Sequence, residues 1–136
     1  MDILVVDDSS WMRAFARLHL QQAGFSVEEV EPTSAFEVLE TLHRLRPRVV
    51  LTDYEMPACN GETLIRLIRE DPVLKDTAVL VMSAHREAEL VERLGRWDLW
   101  DYLVKPLRPE ELVARVRDSF ARHPGQDGRD DPGPSA

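Results

Sequence analysis

The sequence predicts an α/β protein: a five-stranded, doubly wound parallel sheet flanked by five helices. Three observations carry the prediction. Five short runs rich in apolar and β-branched residues recur along the chain, a length and composition that suit strands buried on both faces. Each run is followed by a segment with helical apolar spacing. The chain has 136 residues and is 43% hydrophobic, enough for one domain that buries roughly two-thirds of its unfolded surface and too little for two.

The first run, Ile3-Leu4-Val5-Val6, ends at Asp7-Asp8. Residues Ser10 to Ala23 then carry Met12, Phe15, Ala16 and Leu20 toward one side, with Gly24 where a helix-terminating glycine belongs. The second run is Ser26 to Val30. Ala35, Val38, Leu39 and Leu42 repeat at i, i+3, i+4, i+7 and predict the second helix, with Pro47 beyond it. Val49 to Thr52 is the third run and ends at Asp53. Leu64, Ile65, Leu67 and Ile68 form the next amphipathic face, before Asp71-Pro72. The fourth run, Ala78 to Met82, ends at Ser83, and Leu90, Val91 and Leu94 mark a fourth helix. Tyr102-Leu103-Val104 ends at Lys105-Pro106, and Leu112, Val113, Val116 and Phe120 mark a fifth helix that Pro109 opens well. After Arg122 the chain turns to Gly, Pro and Asp without a large apolar side chain. Residues 1–122 are therefore expected to be the domain, and 123–136 a disordered tail or the start of a linker.

Composition narrows the function. Acids outnumber bases 25 to 17, a net charge of −8 that argues against direct nucleic-acid binding and against docking on anionic membrane. The single cysteine, Cys59, allows no internal disulfide and no cysteine zinc cluster, which suits a reducing cytoplasm. It reads as a small turn residue rather than a redox sensor. No apolar stretch approaches membrane-spanning length, and the N-terminus does not read as a signal peptide. Arginine dominates lysine, as in a GC-rich bacterial genome. No P-loop or dinucleotide motif is present, and the four histidines lack metal-ligand spacing.

In a parallel sheet the strand ends share one edge, so Asp7, Asp8, Asp53, Ser83 and Lys105 are expected to meet in one cleft. Clustered carboxylates repel unless a cation joins them, and oxygen-only ligands favour Mg2+. The set reads as a phosphoryl-transfer site: a carboxylate nucleophile, a metal that neutralises charge, and a lysine and a hydroxyl that hold the transferred oxygens. Taken singly, each residue has a plainer explanation. Asp8 or Ser9 could cap the first helix, Asp53 a turn and Ser83 a helix, and Lys105 could be a solvated lysine. None of these explains all the positions together.

The acidic pair, Asp53 followed by Glu55-Met56-Pro57 and Asn60-Gly61, then Ser83, Tyr102 and Lys105-Pro106, occur in family-like order and spacing. Over residues 1 to about 122 the chain resembles a response-regulator receiver domain of two-component signalling, with a flavodoxin-like fold. Its opening Val6-Asp7-Asp8-Ser9-Ser10-Trp11-Met12-Arg13 is similar to the single-domain chemotaxis regulators. The resemblance implies that Asp53 is the phospho-acceptor. It implies that Asp8 ligates Mg2+ directly, Asp7 through a metal-bound water, and Glu55 through its backbone carbonyl. Ser83 and Lys105 would hold phosphoryl oxygens, Pro106 would follow a cis peptide bond, and Tyr102 would be the aromatic switch that moves with Ser83. The phosphodonor would be a histidine kinase or phosphotransfer protein, and output would pass to a partner protein, an output domain outside this sequence, or a homodimer.

Where the family usually carries Gly-Ala before the last strand, this chain has Asp98-Leu99; Asp98 stands where a helix-ending glycine is expected, and Asp tolerates the left-handed backbone better than most residues but less well than glycine. Trp97 and Trp100 are expected on the face formed by the fourth helix, fifth strand and fifth helix, which receivers use for partners; packing inward is their alternative. Glu55 and His85 are expected to flank the pocket mouth, where they could tune access of water. Two rivals accompany this reading: a pseudo-receiver that binds partners without phosphorylation, and a small Mg2+-dependent phosphatase.

Overall fold

A computed structural model describes residues 1–122, so the expectation for 123–136 lies outside the described residues. Five parallel strands form one sheet: β1 (Ile3–Val6), β2 (Val27–Val30), β3 (Val49–Asp53), β4 (Ala78–Ser83) and β5 (Asp101–Val104). They alternate with α1 (Ser10–Gln22), α2 (Ala35–Leu45), α3 (Gly61–Glu70), α4 (Ala88–Gly95) and α5 (Pro109–Arg122). The sheet order is β2-β1-β3-β4-β5, so the chain reverses its direction of travel between β1 and β3. Ligand crevices in doubly wound sheets open at the carboxyl ends flanking such a reversal.

Alternation along each strand sorts its side chains into two apolar layers. Ile3, Val5, Val49, Leu51, Leu80 and Met82 meet Met12, Ala16 and Leu20 of α1 and Leu112 and Val116 of α5. Leu4, Val6, Val50, Val79 and Val81 meet Val38 and Leu42 of α2, Leu64, Ile65 and Ile68 of α3, and Leu94 of α4. β1, β3 and β4 are buried at every position, as their nearly continuous apolar runs require. β2 departs from that expectation. It is an edge strand whose Glu28 is exposed, and its Glu29 pairs with Arg13 and Arg17 of α1, each at 3.0 Å.

Helix starts follow local capping chemistry. Ser9 accepts from the Met12 N–H, Ser34 from the Glu37 N–H, and Asn60 from the Glu62 and Thr63 N–H groups. Ser9, not Asp8, is thus the α1 cap, which leaves the Asp8 carboxylate free of that duty. Ser83 does not cap α4, whose N-cap is Glu87 without a side-chain bond. The turn before β5 holds Asp98 at φ 59°, the left-handed backbone its position requires. Arg69 of α3 secures this turn by donating to the carbonyls of Trp97, Asp98, Lys75 and Thr77 at 2.7–3.0 Å. Leu99 takes its place against the layer on the α2–α4 face.

Candidate functional site

Register builds the site. Val6 lies opposite Thr52 on neighbouring parallel strands, so Asp7 and Asp53 emerge side by side at the sheet edge. Met82 lies opposite Asp53, and Ser83 opposite Val104, so Ser83 and Lys105 follow on the next two strands. One carboxylate oxygen from each of Asp7, Asp8 and Asp53 falls within 4.8 Å of the others. Lys105 Nζ lies 3.3 Å from Asp53 Oδ1 and 3.5 Å from Asp7 Oδ2. The Lys105–Pro106 peptide bond is cis. Ser83 is buried, and its Oγ accepts from the His85 N–H at 3.0 Å.

The carboxylates differ in environment. Asp7 is fully buried, Asp53 is 6% exposed and Asp8 faces solvent. Burial raises the Asp53 carboxyl above its usual range, and the charge of Asp7 adds to this, against the opposing pull of Lys105 and the Glu55 N–H. Burial also raises Asp7, with Asp8 pushing the same way and the Ser9 N–H and Lys105 opposing. Asp7 Oδ1 accepts from Ser9 N–H at 2.8 Å, but buried Asp7 Oδ2 has no hydrogen-bond partner, and Lys105 reaches it only as a 3.5 Å ion pair. A buried, charged oxygen without a donor is costly. An oxygen-only trio of this kind fits a hard divalent cation, which would satisfy that oxygen and relieve the mutual repulsion.

The mouth of the cleft is an open depression of about 550 Å3 lined by Asp8, Tyr54, Glu55, Met56, Pro57 and Asn60. Glu55 lines it, and His85 is paired with Glu55: His85 Nε2 lies 2.5 Å from Glu55 Oε2, with Nδ1 3.4 Å from Glu87 Oε1. The hydrogen bond that His85 donates to Glu55 raises the His85 pKa, with both carboxylates' charges adding to it. The Glu55 side chain is thus engaged away from the acidic trio. Tyr102 is half-buried and its hydroxyl donates to the His85 carbonyl at 2.8 Å. Cys59 is buried, and burial raises its thiol pKa, so it lacks the thiolate character of a redox sensor.

The two tryptophans pack into different layers on either side of β5. Both are half-buried. Trp97 packs with the α2–α4 layer and donates from Nε1 to Glu62 at 3.2 Å, whereas Trp100 packs with the α1–α5 layer. The tight turn between them, held by Arg69, sends successive aromatic residues to opposite sides of the sheet. The exposed tryptophan is Trp11, at 68%. It stacks on Phe15 at 5.3 Å, and both line a groove of about 350 Å3 with Met12, Ala84, Lys105, Pro106 and Leu107. Helical spacing offered a signal: Trp11 lies off the Met12–Ala16–Leu20 stripe.

Residues 3–117 match the response regulator receiver domain family over most of the chain. The chain belongs to the response regulator receiver domain family. It is 36% identical over 123 residues to a rice two-component response regulator, covering 86% of this chain and 71% of the relative. It is 30% identical over 122 residues to the chemotaxis protein CheY of Pseudomonas aeruginosa, covering 90% and 98%. A 31% match to the phosphate regulon regulator PhoB of Klebsiella pneumoniae spans only 49% of that relative's length. Among solved structures, the chemotaxis response regulator CheY4 of Vibrio cholerae superimposes with a TM-score of 0.78 at 28% identity, covering 87% of this chain and 97% of that one. The BeF3-activated receiver domain of DrrB gives 0.76 at 28% identity, covering 89% and 97%. The five-stranded fold read from the sequence is the fold of these relatives. As a receiver domain the chain is a signalling module, and no helix among the described residues is long and apolar enough to cross a membrane.

Proposed function

We propose that this receiver domain is a cytoplasmic phosphorylation switch in which Asp53 accepts a phosphoryl group from the phosphohistidine of a histidine kinase or phosphotransfer protein. The observation that carries the reading is the Asp7–Asp8–Asp53 trio with Lys105 against it and one buried oxygen without a donor.

Asp8 and Asp53 would hold Mg2+ directly, with Asp7 acting through a bound water and Glu55 through its carbonyl. When bound, that ion neutralises the carboxylates and the oxygens of the incoming phosphoryl group. The chain's own residues do the rest. An Asp53 carboxylate oxygen forms the new O–P bond as the P–N bond breaks, and the electron pair returns to the donor imidazole. Lys105 turns from Asp53 toward a phosphoryl oxygen, offsetting charge that the acceptor alone would repel. The Ser83 hydroxyl donates to another oxygen, and Tyr102 follows the loop that Ser83 moves. Reset is hydrolysis: water attacks phosphorus, the Asp53–phosphorus bond breaks, and the free carboxylate and inorganic phosphate remain. The Glu55–His85 pair at the mouth meters this water. Unchanged dephosphorylation rates in Glu55→Asn and His85→Ala would remove that role.

A protein donor is favoured by the Trp11–Phe15 groove, because Lys105 belongs to both groove and cleft. Trp11→Ala should slow transfer from a protein phosphodonor and leave labelling by a small one unchanged; equal slowing of both would discard the docking role. Output then passes through a partner whose binding follows the phosphorylation state.

The test is intact mass after incubation with a small phosphodonor, with and without Mg2+, beside Asp53→Ala. The expected result is one Mg2+-dependent phosphoryl group, absent from the variant. No adduct, under conditions that label a control receiver, would overturn the proposal in favour of a constitutive binding module.

A further inference from the structure

α4 is weakly anchored by apolar contact: Leu94 is its one buried residue. Leu90 packs partly buried against the same layer as Leu94, and polar attachments of α4 and of the turn after it converge on one carboxylate. Glu62, in the first turn of α3, accepts from Arg93 Nε at 3.1 Å through Oε1 and from Trp97 Nε1 at 3.2 Å through Oε2. The Arg93 guanidinium also donates to the Tyr54 hydroxyl at 3.0 Å. Tyr54 directly follows Asp53, and its backbone is pinned on both sides. Its N–H donates to the Met82 carbonyl and its carbonyl accepts from the Gly61 N–H, both at 3.0 Å. An unbroken path of hydrogen bonds therefore runs from the residue beside Asp53, through Arg93, to Glu62 and Trp97. Arg69 then holds the Trp97 and Asp98 carbonyls just ahead of β5.

We infer that Glu62 is a positioning residue that couples the loop after Asp53 to α4 and to the turn leading into β5. The geometry makes Glu62 the point where the path divides: one oxygen holds Arg93 and the other holds Trp97. With Glu62 truncated, the Arg93 guanidinium, whose side chain is 47% exposed, is free to relax into solvent, and the Trp97 indole N–H loses its acceptor. Movement at Tyr54 would then no longer reach the α4–β5 turn by this route. The coupling exists in the resting chain. Its consequence, that an event at Asp53 is felt at α4, rests on the phosphoryl-acceptor reading above.

The test is fluorine NMR of the protein labelled with 5-fluorotryptophan, its three resonances assigned by Trp→Phe replacement. Tyr54→Phe removes only a hydroxyl. It should shift the Trp97 resonance in the otherwise native chain, not in Glu62→Ala, and leave Trp11 unmoved in both. Amide exchange supplies a second readout: Glu62→Ala should speed exchange across Ala88–Gly95 about fivefold while leaving α1 and α5 unchanged. A uniform increase over all helices would mean that Glu62 merely stabilises, and would overturn the inference. So would a Trp97 resonance unmoved by Tyr54→Phe, or moved equally with and without Glu62. Glu62→Gln, which keeps one acceptor oxygen, repeats the measurement if the alanine variant folds poorly. With beryllofluoride and Mg2+, the adduct should shift Trp97 in the native chain and not in Glu62→Ala; equal shifts overturn the inference. If mass finds no adduct, the phosphoryl-acceptor reading fails, while the Tyr54–Glu62 cycle still decides the coupling.

Discussion

β3 and β4 are buried at every position, whereas α4 buries Leu94 alone and β5 buries only Leu103. The first region carries Asp53 and Ser83, and the second carries the turn and strand that lead to Tyr102 and Lys105. In the first, strand register and close packing leave the side chains little freedom. In the second, position depends on hydrogen bonds among half-exposed groups, each of modest net value. The difference teaches how a small domain divides its labour. Asp53 and Ser83 sit on rigid elements, and α4 with the turn into β5 is held by contacts that cost less to rearrange.

The comparison breaks first in the core. Leu80→Ala, in the middle of β4, should cost about 3 kcal/mol and lower global stability in a urea melt. Leu94→Ala should instead release α4 alone, with fast exchange confined to that helix. If both variants gave the same global loss, the two regions would not differ as described.

Next comes the joint between them. A Cβ at Gly61 would lie 2.8 Å from the Cα and O atoms of Tyr54 and 2.9 Å from the Asp53 carbonyl, all backbone atoms. Gly61→Ala should therefore cost about 2 kcal/mol and slow phosphoryl uptake, as read by denaturant melts and intact mass. Stability loss without slower uptake would show that the Asp53 loop absorbs the displacement.

A smaller effect has the opposite sign. The Asp53 pKa is raised in the folded chain, first by burial and then by Asp7. A carboxylate with a raised folded pKa withdraws stability as pH climbs from its unfolded value toward the folded one, and the deficit persists at neutral pH. Without divalent cation, Asp53→Asn should thus stabilise the fold by about 1 kcal/mol, a rise of a few degrees in Tm. The gain should shrink as pH falls through the raised folded pKa and be gone below the unfolded value. Destabilisation instead would mean that the Lys105 ion pair outweighs burial and repulsion.

The smallest effect lies at the β2 edge. Burial alone would raise Glu29, but Arg17 and Arg13 together outweigh it and lower its pKa. Glu29→Gln should cost about 0.5 kcal/mol at neutral pH, and the difference should vanish as pH falls through the folded pKa of Glu29. A loss several times larger would place β2 with the rigid region rather than at its periphery.

The sequence by itself determined the fold and the membership of the acidic cleft. Periodicity separated strands from helices, and parallel strands share one carboxyl edge, so polar residues closing successive runs had to meet: Asp7, Asp53, Ser83 and Lys105. The left-handed turn at Asp98 was legible only through the family resemblance, which expects a helix-ending glycine at that position. Tertiary structure alone decided the rest. It sent Trp97 and Trp100 to opposite layers, left Trp11 exposed over Phe15, paired Glu55 with His85, and joined Tyr54, Arg93, Glu62 and Trp97 across two helices and two loops. Apolar spacing specifies which face of a helix is buried. It does not specify how the helix is set against its neighbours, or which way a side chain leaves a loop, and those long-range placements arise only when the layers pack.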